Sequence, residues 1–244
     1  MGRRAAPDLE PSHVADLFDR NAATYDRINT IITFGLDASW RRWAASRAVP
    51  WTSSASARPP RVLDACAGTG LLALDLARRG ATVTAADAAA GMLAVARRRL
   101  GAAGLPLSTV VADLSDPAAA EQLGGPFDAI TLGFGLRYFS DPGALLHVLR
   151  GLLVPHGRLV VLEAVRPPRD PLGAVAGLYF FEAAPRLGAA LAGRAELYDL
   201  LSSSTRAIGS GDDVAARLRE ARLKSVERRR FAGGVVAGFV ARAG

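Results

Sequence analysis

The sequence predicts an α/β fold: a doubly wound, mostly parallel sheet of seven strands, covered by helices on both faces and closed by an antiparallel last strand. Three observations carry that expectation. From Arg61 to Val165, short apolar runs alternate with segments of helical period, the order that gives parallel strands joined by crossover helices. A glycine-rich turn, "ACAGTGL" at 65–71, separates the first run from the first crossover helix. The last two runs, within "SVERRRFAGGVVAGFVAR", are joined near Gly233 and Gly234. A connection that short cannot make a parallel crossover, so these strands pair antiparallel.

The elements follow in order. Residues 11–48 read as helical, with Val14, Leu17 and Phe18 on one face and "WRRWAA" continuing past Gly35. "PWTSSASARPP" has no periodicity and is rich in Ser and Pro, so residues 51–60 form a linker. "RVLDAC", "ATVTAAD", "LSTVVAD", "PFDAITLGF" and "GRLVVLEAV" are five strands. Between them lie the helices "LLALDLARR", "AAGMLAVARRRLGAAG" and "DPGALLHVLRGLL", the last opened by Asp141 with Pro142 in its first turn. Right-handed crossovers then bring every parallel strand's carboxyl end to one edge, where open α/β sheets bind ligands. "PLGAVAGLYFFEAAPRLGAALAG" is apolar and helical, interrupted at Pro185, and "DDVAARLREA" is a further helix.

Composition narrows the classes. With 244 residues, half of them hydrophobic, the chain buries a full core. Cys66 is the only cysteine, so no internal disulfide forms and a cytoplasmic setting is expected. No apolar run is long enough to span a membrane, and "MGRRAAPDLEPSH" carries neither a secretory nor a myristoylation pattern. His13, His147 and His156 are isolated in sequence, so no metal site is expected. The net charge of +7 rests almost wholly on scattered arginines. Aromatic residues do not interleave with them, so nucleic acid is not an expected partner. Because the arginines are scattered rather than arrayed, the basic balance reads first as a compositional bias and only second as an aid to peripheral membrane contact; a homodimer is compatible with either.

The glycine turn limits the ligand. Gly68 and Gly70 sit where missing side chains let a ligand meet the main chain. Asp87 ends the next strand, 19 residues beyond Gly68, where an acid meets ribose hydroxyls, and Asp113 ends the third strand on the same edge. No Gly-Lys-Ser/Thr follows, which excludes a phosphate-binding P-loop. Alanines stand at 67 and 73, and Asp64 precedes the turn, where it would repel a pyrophosphate. An acid there suits an ammonium. S-adenosylmethionine, with an ammonium, a sulfonium and a ribose, fits better than a dinucleotide; the bland alternative is a tight turn among unrelated acids.

On these residues the chain resembles the ubiquinone/menaquinone C-methyltransferases, a family of the class I, Rossmann-like S-adenosylmethionine-dependent fold. "VADLFDRNAATYDRINTIITFGLDASWRRW" is similar to the family's amino-terminal signature, and "RVLDACAGTG" to its cofactor loop. "AADAAAGMLAVARRR" resembles its ribose-binding strand and following helix; "FDAITLGFGLRYFSDPGALLHVLRGLLVPHGRLVVLE" resembles a second signature. The resemblance implies a helical lid over 1–50, a cofactor-binding domain over 61–244, and an inserted helical acceptor cap over 170–210. It implies S-adenosyl-L-methionine held by Tyr25, Asp64, Gly68, Thr69, Gly70, Asp87, Met92 and Asp113. The implied acceptor is an apolar aromatic small molecule, a prenylated quinol such as demethylmenaquinol, lined by Phe134, Tyr179 and Phe180, with Arg137 and Tyr138 at the chemistry. Arg137 either steadies a developing phenolate or simply pairs with an acid such as Asp141, and Glu163 either faces the acceptor or pairs with an arginine. Cys66 is expected to pack beside the cofactor as a small apolar residue.

Four positions depart from the family pattern: Leu71 replaces an acid, Tyr138 an asparagine, "IGSG" a Phe-Pro pair, and "GGVVAGFVARAG" an ending with histidine and lysine. They leave open a methyltransferase for another aromatic or polyketide product, or a cofactor-binding protein such as a cyclase.

Overall fold

A computed structural model describes residues 10–50, 58–116, 118–192 and 196–244. The linker expected at 51–60 therefore lies outside the described residues except for 58–60. Seven strands form one sheet in the order β3-β2-β1-β4-β5-β7-β6. They are β1 (Arg61–Ala65), β2 (Thr82–Asp87), β3 (Ser108–Val111), β4 (Phe127–Gly133), β5 (Leu153–Ala164), β6 (Lys224–Phe231) and β7 (Val236–Arg242). The first five pair in parallel, while β7 runs antiparallel between β5 and β6. Strand order reverses between β1 and β4, and the crevice above that reversal is where such sheets bind ligands.

Both sheet faces are apolar and both are covered. On one face α3 (Leu36–Ala48) and α4 (Leu71–Ala77) bring Trp40, Ala44, Leu72 and Leu76 onto Val62, Val83 and Val160. On the other, α7 (Pro142–Gly151) and α11 (Gly211–Glu220) bring Leu146, Leu149, Val214 and Leu218 onto Leu63, Ile130, Leu159 and Phe239. α5 (Ala90–Ala102) packs beside α4, and the short α6 (Ala119–Gln122) precedes β4. Local chemistry starts the helices where expected: Asp141 accepts from the Ala144 amide at 3.0 Å ahead of Pro142. Ser210 and Asp213 cap α11 reciprocally, satisfying amides that a helix start leaves unpaired.

The amino-terminal helical stretch is three helices: α1 (Pro11–Asn21), α2 (Tyr25–Ile32) and α3. α3 belongs to the sheet's cover. α1 and α2 instead share a separate small core, Val14, Leu17 and Ile28, with Leu197 and Leu200 of α10 (Glu196–Ile208). α8 (Pro171–Leu178) and α9 (Ala184–Ala192) complete this helical layer. The interruption expected at Pro185 takes another form. A single π turn, Tyr179–Ala183, joins α8 to α9, and Pro185 sits in the first turn of α9. Proline lacks an amide proton and crowds the carbonyl four residues earlier, and a widened turn accommodates both without breaking the helix.

Candidate functional site

The end of each parallel strand opens into one cavity of about 330 Å³, within the range of small-molecule sites. Its floor is the sheet edge, and its walls are the glycine turn, the loop after β4, and the helical layer. Cys66 and Phe134, the first residues past β1 and β4 in the floor, both have positive φ, 55° and 60°. Such backbone is costly for residues other than glycine, and it clusters at sites. The two loops touch. A Cβ at Gly135 would lie 2.6 Å from the Cβ of Cys66, so only glycine admits this approach.

At the β1 end, Asp64 is almost fully buried. Its Oδ1 accepts from the Thr131 hydroxyl at 2.6 Å. Its Oδ2 is buried with no hydrogen-bond partner among the described residues. Burial pushes the Asp64 carboxyl up to about 7, against an opposing pull from Thr131. An orphaned carboxylate oxygen on a cavity wall is chemically suited to a cation or donor. Asp87, at the β2 end, accepts from the Gly68 amide at 2.8 Å and the Ala89 amide at 2.9 Å, which fixes the turn against β2. A carboxylate has about four lone-pair sites, so both oxygens remain able to accept further hydroxyls. Asp113 lies two residues past β3 on the wall, which buried Met92 also lines.

α2 is fastened over this turn. Asp26 accepts from the Thr69 hydroxyl at 2.7 Å and from Arg99 Nη2 at 2.5 Å, and Arg99 also reaches the Thr69 carbonyl. Asp19 of α1 accepts from the Met92 amide at 3.2 Å. Tyr25 lines the cavity beneath, and its ring meets Phe18 edge-on.

Past β4 the chain turns through a short 3-10 helix, Leu136–Tyr138, and buries an ion pair. Arg137 Nη1 meets Glu163 at 2.5 Å, with exposures of 5% and 0%. The Arg137 amide also donates to Glu163, and Nη2 donates to the Tyr138 hydroxyl at 2.9 Å. The arginine's partner is thus Glu163 rather than Asp141, which is occupied in capping α7. Burial works against the charge, but Tyr138 and Glu163 outweigh it and hold the guanidinium firmly protonated. Burial also pushes the Tyr138 hydroxyl above its ordinary value, and the Cys66 thiol well above its own. Arg137 Nε, like Asp64 Oδ2, is buried without a partner among the described residues.

Two expected site residues stand elsewhere. Gly70 (φ 77°) lies behind the turn, where a Cβ would come within 2.6 Å of Ala96; it lets the turn pack on α5 and does not line the cavity. Tyr179 also stays off the wall: it stacks on Phe34 and donates to the Ile32 carbonyl at 2.9 Å, bracing α2 from outside. Phe180 and Phe181 do face the cavity, as do Phe134, Arg137 and Tyr138. The cavity adds residues not named among the expected site residues: Asp37, within the amino-terminal signature and held by Arg41 at 2.6 Å, and Ser202 and Thr205 of α10, which no motif marked out.

A family profile described as the ubiE/COQ5 methyltransferase family matches residues 7–242. A demethylmenaquinone methyltransferase of Thermus thermophilus is 39% identical over 84% of this chain and 90% of its own. One of Beutenbergia cavernae is 38% identical over 96% of this chain and 92% of its own. Among solved structures, a magnesium protoporphyrin IX methyltransferase from Synechocystis PCC 6803 with bound SAM shares the fold, with a TM-score of 0.63 at 17% identity, covering 99% of this chain and all of that one.

Proposed function

We infer the acceptor and the residue roles from one premise: the chain belongs to the ubiE/COQ5 methyltransferase family, and is an S-adenosylmethionine-dependent methyltransferase. The reading is C-methylation of a demethylmenaquinol-like quinol. The observation that carries it is a single cavity with acids and a glycine turn at one end and aromatic rings around a buried Arg137–Glu163 pair at the other.

The residues present fit the cofactor. Asp64, with its orphaned Oδ2, would meet the ammonium; Asp87 and Asp113 would take ribose and adenine-side donors; Gly68 and Thr69 would offer main chain along its length. Met92 and Tyr25 would close against its rings and sulfur. Leu71, where the family carries an acid, lines the cavity without a charge, so Asp64 and Asp87 carry this end's electrostatics. α1 and α2 would serve as the lid, and the π turn, α9 and α10 as the acceptor cap.

The bound cofactor supplies an electrophilic methyl group. The protein's part is alignment of ring carbon, methyl and sulfur, the dominant contribution to a displacement of this kind. A quinol carbon becomes nucleophilic as its neighbouring hydroxyl loses a proton, leaving negative charge on oxygen. Arg137 stays protonated and cannot be the base. Its Nε would donate to that oxygen or hold the water that takes the proton, with Glu163 fixing the guanidinium. The Tyr138 hydroxyl accepts from Arg137, so its own proton is directed elsewhere and serves as a second donor to the acceptor. Once the ring carbon carries the methyl, its own proton would pass, through the water held beside Arg137, to the quinol oxygen, which restores aromaticity. Phe134, Phe180 and Phe181 would hold the apolar ring system.

No helix among the described residues is long and apolar enough to cross a membrane. A cytoplasmic protein meeting a lipid-borne acceptor at the membrane face is the setting this reading proposes. Incubation of the protein with S-adenosylmethionine and chemically reduced demethylmenaquinone is expected to yield the singly methylated quinol by mass spectrometry. Failure on that acceptor, with turnover of hydroxylated polyketide aromatics, would replace it with the second reading. Tyr138 favours that alternative, since its phenol occupies acceptor-side space where the family has an asparagine.

A further inference from the structure

Nine large apolar side chains stand most exposed among the described residues, and eight of them belong to one helical layer. Leu172, Val175 and Leu178 recur at three-residue spacing along α8, each more than two-thirds exposed. Leu187 and Leu191 lie one turn apart on α9. Ile31, Phe34 and Leu36 come from the end of α2 and the turn into α3, with Phe34 73% exposed. The segments adjoin: Phe34 stacks on Tyr179 at 5.3 Å, directly after Leu178, and α2 packs on α9. Scattered exposed leucines need no explanation, but a contiguous patch on an otherwise polar surface marks a contact.

The patch is one side of a thin layer whose other side is the cavity. The same segments contribute Ile32, Thr33, Phe180, Phe181 and Pro185 to the cavity wall. Its charge is one-sided as well. The acids of these elements are engaged within the protein: Asp26 by Arg99 and Thr69, Asp37 by Arg41, Glu182 by Arg186 and Arg206, and Asp170 by the Gly173 amide it caps. Exposed Arg27 lies one helical turn before Ile31 on α2, and exposed Arg169 lies three residues before Leu172; Arg42, also exposed, lies further along α3 toward Asp75 of α4. A net charge of +7 adds to this balance.

We propose that the face formed by α8, α9 and the α2–α3 turn seats the protein on an anionic lipid bilayer, with the wall of the cavity lying against the lipid. Apolar side chains entering the headgroup boundary and arginines meeting anionic headgroups are the two complementary terms of peripheral binding. Face-to-face pairing of two copies would bring the arginines together, which disfavours a second chain as occupant. The cavity's orientation toward lipid rests on the lipid-borne acceptor proposed above. The surface itself rests on exposure and charge.

The test is co-flotation with phosphatidylcholine vesicles, with and without phosphatidylglycerol. Its comparison protein is a Leu172→Glu, Val175→Glu double variant, whose altered side chains do not line the cavity. The intact protein is expected to partition onto the phosphatidylglycerol vesicles, weakening with salt, and the double variant to lose at least ten-fold of that binding. Both should unfold at the same temperature and methylate a short-chain, water-soluble demethylated naphthoquinol equally. No flotation of the intact protein, or undiminished flotation of the variant, overturns the proposal. So does a dimer, seen by light scattering, that the variant abolishes. Flotation as expected with no naphthoquinol turned over leaves the surface standing and removes the acceptor reading instead.

Discussion

Asp64 shows how much one side chain can couple. Its ordinary carboxylate value is 3.8, and burial lifts it to about 7 in the folded protein. The folded state therefore holds a proton that the unfolded chain has lost across that interval. This contribution to stability is full below the ordinary value and disappears as pH rises through 7. A cation arriving at Oδ2 favours the ionised form, so below pH 7 it must expel the proton, and above that no proton moves. The affinity for S-adenosylmethionine is expected to climb with pH and level off above 7. Calorimetry in buffers of different ionisation enthalpy should record proton release on the acid side only, and Asp64→Asn should abolish both the release and the pH dependence. Identical proton release in the variant would assign the effect to another group.

α2 is held by few bonds. It meets the glycine turn and α5 through Asp26, whose partners Thr69 and Arg99 lie 43 and 73 residues away. Charge-assisted hydrogen bonds of this kind contribute about 1.5–3 kcal/mol each when buried, and less where, as here, the groups are about a quarter exposed. Asp26→Ala is expected to raise the KM for S-adenosylmethionine roughly ten-fold with kcat at saturation little changed, and to speed amide exchange across residues 25–32. Loss of kcat with KM unmoved would place Asp26 at the chemistry instead.

The sequence carried some elements more plainly than others. The parallel strands and their helices were readable because an apolar run, a turn and an amphipathic run repeat in a fixed order. The acids at strand ends were readable because sheet topology brings those ends together. Arg99 carried no such signal, since its partners come from a distant turn and a distant helix. α10, which follows the apolar stretch ending at Gly193, had no motif of its own. The widened turn before Pro185 reads in sequence as a break, because proline announces a lost hydrogen bond and says nothing about how the neighbouring turn absorbs it. Tyr179 looked like its neighbours Phe180 and Phe181; only the helix's rotation separates the side chain that braces α2 from those facing the cavity.

The molecule as a whole is a rigid sheet with a lighter helical layer across one edge. Phe239 on β7 and Phe127 on β4 are fully enclosed beneath the face that α7 and α11 cover. Phe239→Ala is expected to cost about 3–5 kcal/mol by urea denaturation, because a close-packed interior closes only partly over a lost ring. A loss below about 1 kcal/mol would mean that the far face is looser than its packing implies.

The contact between Gly135 and Cys66 has a bearing on how such a protein can diversify. Position 135 admits no side chain without parting the two loops, so this point of the cavity floor has little room to vary. New acceptor preferences have to be written at the positions around it, such as 134 and 138, or at 180–185 and 201–205, which line the cavity from the other side. The constraint separates one sterically fixed contact from positions free to drift, and it locates where relatives with this fold should differ when their substrates differ.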